Sequence, residues 1–96
     1  MKPSEALHSN RVAIRTLVES HRARNPRVFG SVLNGQDTDR SDLDILVDPT
    51  PETSLFDIGE IRHELMTLLG VSVDVLTPNA LPEKSRALVI AEATPV

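Results

Sequence analysis

The chain has 96 residues, a net charge of −4 and no cysteine, and only 2% of its residues are aromatic. That length suits one small domain, residues 1–96, with a modest core and little room for a second, substrate-binding domain. The missing cysteines exclude a disulfide framework and thiolate chemistry.

Charge is unevenly spread: +4 over residues 1–30, −7 over residues 31–60 and −1 over residues 61–96. An acidic middle attracts cations and repels bare nucleic acid. Phe29 and Phe56 are the only aromatic residues, so there is no stacking platform for bases, and direct nucleic-acid binding is not expected. Apolar runs such as Ala87–Ala91 are too short to span a bilayer. Met1–Glu5 lack the apolar core of a signal peptide, so the expected location is cytoplasmic.

In chain order, the spacing of Leu7, Ile14, Leu17 and Val18 predicts a helix over about residues 4–23, with Ser4 as its cap. Arg11, Arg15 and Arg22 fall on another side, as a solvated face or as a surface for an acidic partner or phosphate. Asn25-Pro26 should end this helix, and Arg27-Val28-Phe29 is the first strand. Gly30-Ser31 then opens a polar turn that includes Asp37 and Asp39. Asp42–Asp48 alternates as a second strand, broken by Pro49-Thr50-Pro51. Ser54 and Asp57 form a capping-box variant at the head of a helix over about residues 54–69, which Gly70 stops. Val71–Leu76 is a third strand. A last helix over about residues 81–92 could cover the sheet with Leu81, Leu88 and Val89, leaving residues 93–96 as a tail. This order implies an α/β (α+β) fold in which helices cover a small mixed sheet. His8, His21 and His63 are not expected to be catalytic, and His8 and His21 have no companion at metal-ligand spacing.

The chemistry concentrates in the second strand. Leu43, Ile45 and Val47 share one face, which puts Asp42 and Asp44 together on the other. Two residues of strand rise span roughly 6.5–7 Å. Carboxylates that close repel unless a cation sits between them. Oxygen-only ligands suit Mg²⁺ or Mn²⁺. Gly30 would let a phosphate approach the backbone, and Ser31 with free N–H groups could hold its oxygens. Asp74 faces away from Val71, Val73 and Val75. If its strand lies beside the second, three carboxylates meet, enough for two metals about 3.5–4 Å apart. Asp74 could then take the proton of an attacking hydroxyl.

Gly30-Ser31, ten residues, then Asp42-x-Asp44 resembles the signature of the minimal nucleotidyltransferases, a branch of the DNA polymerase β-like superfamily, and Val73-Asp74-Val75 resembles its third carboxylate strand. The resemblance implies a polymerase β palm-like fold and transfer of a nucleoside monophosphate, AMP from ATP, to a hydroxyl. It assigns two Mg²⁺ to Asp42, Asp44 and Asp74, and the nucleotide phosphates to Gly30 and Ser31. Chains of this kind and size are typically antitoxins beside a HEPN-domain ribonuclease toxin and can AMPylate a toxin tyrosine. Leu33-Asn34 stands where many members have Ala-Arg, so a basic residue near the phosphates is missing. Two alternatives stay open: a non-catalytic module that neutralises its partner by docking alone, which that departure favours, and an adenylyltransferase for a small molecule such as an aminoglycoside. Self-association is left open as well.

Overall fold

The computed structural model describes residues 1–96. Two short helices come first, α1 (Pro3–Ser9) and α2 (Arg11–Ser20), followed by β1 (Ala23–Phe29), β2 (Leu43–Pro49) and the long helix α3 (Leu55–Leu69). Then come β3 (Val73–Leu76), a 3₁₀ turn (Pro78–Ala80), α4 (Arg86–Glu92) and a two-residue strand, β4 (Thr94–Pro95). The four strands form one mixed sheet in the order β3-β2-β1-β4. β1 runs antiparallel to β2 and β4, whereas β2 and β3 are parallel. A parallel pair needs a crossover, and α3 supplies it. The result is the expected α+β class. No helix is long and apolar enough to cross a membrane.

Alternation along the strands builds the core. Leu43, Ile45, Val47, Val73 and Val75 are buried with Val28 and Ala23, under Ala6, Leu7, Ile14, Val18, Ile61, Leu65 and Leu69 of the helices. β2 is the central strand, and Leu43, Ile45, Leu46 and Val47 are all fully enclosed. Leu46 and Leu81 are buried outside that cluster. The 3₁₀ turn lies against β2.

α3 forms as the sequence predicts. The Ser54 hydroxyl accepts from the Asp57 backbone N–H, and the Asp57 carboxylate accepts from the Ser54 N–H, which completes a capping box. Gly70 ends the helix at φ 67°, a left-handed conformation that favours glycine.

Five expectations are corrected. The first helix is broken at Asn10, whose side chain turns back to donate to the Ala6 carbonyl; such local bonding competes with helix propagation. Ser4 does not cap α1; instead its backbone N–H donates to the buried Asp37 carboxylate at 2.9 Å. Asn25-Pro26 lies within β1, at a bulge between Arg24 and Arg27 with Asn25 at φ 53°; bulges are where a sheet admits proline. The tail is a strand. Thr94 and Pro95 pair with β1, the Val96 N–H donates to the Pro26 carbonyl, and Arg15 donates to the Val96 carbonyl at 2.8 Å. α4 is shorter than expected and buries no residue, and Leu88 is 61% exposed, so it does not roof the sheet.

Candidate active site

Asp44 sits in the middle of the sheet. Across the antiparallel ladder it faces Phe29, and across the parallel ladder it faces Asp74. Register partners share a face, so Asp44 and Asp74 stand side by side on the face opposite the main core. Adjacent strands are about 4.8 Å apart, which leaves little room for two negative charges. Asp42 lies two residues before Asp44, just ahead of β2, and is exposed, as is Asp74. Asp44 is half-buried. Burial pushes its carboxyl up to about 6, with the charges of Asp74 and Asp42 adding to the effect.

Gly30 closes the site from the side of β1. It has φ 77°, and a Cβ placed on it would lie 2.2 Å from Asp44 Oδ2. No larger residue fits without moving that carboxylate. The chain then folds into a tight turn. Asn34 N–H donates to the Gly30 carbonyl and Gln36 N–H to the Ser31 carbonyl, while Gly35 takes φ 70° to leave the turn. Ser31 is half-buried at its start, directly after the glycine that touches Asp44. The structure therefore brings Asp42, Asp44 and Asp74 to one sheet face and sets the Gly30-Ser31 step against them.

Two other aspartates have cationic partners. Asp57 is held below the usual carboxylate range by the Ser54 backbone, with the Arg22 guanidinium contributing. Asp48 pairs with Arg27 and accepts from the Asn25 side chain at 3.1 Å. Asp42, Asp44 and Asp74 form no ion pair with any basic side chain. Their oxygens are not all gathered within 4.8 Å, in contrast to the one set that is, His21, Glu60 and Glu64. Three mutually repelling carboxylates with no basic partner, one of them pushed toward protonation, form a donor set suited to divalent cations with oxygen preference.

Sequence reading missed the surroundings of His21. It looks isolated along the chain, yet Glu60 and Glu64 flank its ring from α3. The four-residue spacing of the two glutamates was the available signal; the approach of α2 to α3 could not be read from it.

Comparison with known proteins places the fold in a family. Residues 14–96 match the family described as polymerase beta nucleotidyltransferase. The protein adenylyltransferase MntA of Thermococcus cleftensis is 36% identical over 76 residues, 79% of this chain and 77% of that protein. MJ0435 of Methanocaldococcus jannaschii, assigned as a protein adenylyltransferase, is 34% identical over 79% of this chain and 82% of its own length. Among solved structures, one described as a minimal nucleotidyltransferase is 38% identical and superposes with a TM-score of 0.86, covering 97% of this chain and 95% of that one. A toxin–antitoxin crystal structure with AMP-PNP shares the fold at 20% identity, with a TM-score of 0.75 over 90% of this chain and 71% of that one. From motif, sheet and relatives together, this chain belongs to the polymerase β nucleotidyltransferase family, as a minimal nucleotidyltransferase of the adenylyltransferase kind.

Proposed function

We propose that the chain is the antitoxin of a toxin–antitoxin pair, a single cytoplasmic nucleotidyltransferase domain that moves AMP from ATP onto a tyrosine hydroxyl of a HEPN-domain toxin. The observation that carries this reading is the convergence of Asp42, Asp44 and Asp74, without basic partners, beside a glycine that only a side-chain-free residue can occupy. The relatives named for protein adenylylation, and the shared fold of a toxin–antitoxin complex, support a protein acceptor and a toxin partner.

In this mechanism Asp42, Asp44 and Asp74 would hold two Mg²⁺ ions, which would supply charge neutralisation at the phosphates. Gly30 leaves the backbone open to the β- and γ-phosphates, and the Ser31 hydroxyl and N–H donate to them. Asp74 accepts the proton of the acceptor hydroxyl. The acceptor oxygen forms a bond to the α-phosphorus, the bond from that phosphorus to the α–β bridging oxygen breaks, and pyrophosphate leaves.

A second reading, neutralisation by docking alone, is favoured by one feature. Leu33 packs against the core and Asn34 is exposed, so neither brings a positive charge to the turn. Mixing the chain with the toxin encoded beside it, ATP and Mg²⁺, then weighing both proteins, separates the two. A gain of one or more AMP units on the toxin supports transfer. A tight complex with unchanged masses supports docking and refutes transfer.

A further inference from the structure

Across the sheet from the aspartates, where the end of α2 meets α3, His21 lies in a shallow open cleft lined by Glu60, His63 and Glu64. Its side chain is 16% exposed, with Nδ1 3.5 Å from Glu60 Oε2 and Nε2 against Glu64 Oε2. One ligand atom from each of the three residues falls within 4.8 Å of the others.

We propose that His21, Glu60 and Glu64 form a second divalent-cation site, separate from the aspartates, that binds Zn²⁺ and ties α2 to α3.

A neutral imidazole carries a single N–H. With a carboxylate at each ring nitrogen, one nitrogen of a neutral ring turns its lone pair toward an anionic oxygen. Either a second proton or a metal ion at the unprotonated nitrogen relieves that contact. Glu60 and Glu64 add to the demand, because like charges four residues apart on a helix repel. A metal ion meets both needs: it takes the ring nitrogen and one oxygen from each glutamate, and the second ring nitrogen keeps its proton. His63, on the same turn of α3, lines the cleft wall beside these three. Mixed imidazole and carboxylate ligands suit Zn²⁺, whereas Mg²⁺ prefers oxygen alone, so the two sites should select different ions. His21 is 39 residues from Glu60 in sequence. The ligand set exists only once α2 and α3 are packed, so bound metal should stabilise the native state.

The test is a calorimetric titration of Zn²⁺ into the full chain with excess Mg²⁺ present throughout. One Zn²⁺ should bind per chain and raise the Tm. His21→Gln, and separately Glu64→Gln on the exposed face of α3, should each weaken binding at least about tenfold, the loss typical even of groups behind a ligand. Asp42→Asn should leave Zn²⁺ binding unchanged. The proposal is overturned if no Zn²⁺ binds, as when His21 is simply an imidazolium bridging the two glutamates. It is equally overturned if either variant, with a wild-type circular dichroism spectrum, binds Zn²⁺ as tightly as the native chain, or if binding disappears with Asp42→Asn.

Discussion

Replacing Asp44 by asparagine should stop transfer and make the protein more stable. The ordinary carboxyl value is 3.8, and in the fold Asp44 is raised to about 6. At about 1.4 kcal/mol per unit, that difference corresponds to at most about 3 kcal/mol. Asp44 is only half-buried and water screens the crowding, so about 1–2 kcal/mol is the realistic gain. A raised carboxyl means that the native state holds its proton at a pH where the unfolded chain has released it. Stability therefore falls as pH rises from about 4 to about 6, and the penalty is complete above that window. Urea denaturation with EDTA present, at about pH 7.5 and about pH 3.5, reads this out. At the higher pH Asp44→Asn should be the more stable by the stated amount, which for a domain of this size is a Tm rise of roughly 5–10 °C. At the lower pH the two proteins should converge. Mg²⁺ at neutral pH should then stabilise the native protein and not the variant. If Asp44→Asn is no more stable at neutral pH, or keeps its full advantage in acid, burial and the neighbouring carboxylates do not penalise the Asp44 charge as described.

Gly30→Ala should abolish transfer and destabilise the fold by about 1–3 kcal/mol, from backbone strain and the contact with Asp44. Part of that loss should return in an Asp44→Ala background, a coupling that a double-mutant cycle of urea unfolding measures. Leu65→Ala empties a fully buried position on α3 and should cost about 2–5 kcal/mol by thermal melting. Ser54→Ala removes the hydroxyl that caps α3 and should cost about 1 kcal/mol in the same assay. Chelation by EDTA should eliminate AMP transfer, and added Mg²⁺ or Mn²⁺ should restore it, as followed by mass spectrometry of the acceptor protein.

Local patterns carried most of this fold. The alternation of Leu43, Ile45 and Val47 fixed the faces of β2, and the same period placed Asp74 on the acidic side of β3. Ser54, Asp57 and Gly70 marked both ends of α3 through short-range bonds that need no partner element. Apart from the local break at Asn10, what failed depended on contacts distant in sequence. Asp37 binds the start of α1 from 33 residues away, Val96 latches to Pro26, and Glu60 and Glu64 come to His21 from another helix. The candidate site was legible because its spacing is set by one strand and its neighbour. Asp44's proximity to Gly30 was not, since it depends on how closely β1 approaches β2.

The crossover through α3 acts as a ruler between the two halves of the acidic face. Asp44 and Asp74 align only because the stretch between their strands returns the chain in one particular phase. A slip of one residue in β3 would send Asp74 inward and bring an apolar neighbour to the surface. Length changes between residues 50 and 72 should thus be tolerated far less than insertions in the exposed segment at 38–40, which lies outside that span. For anyone grafting this scaffold onto a new acceptor, the exposed segment is the place to build and the ruler is the part to leave alone.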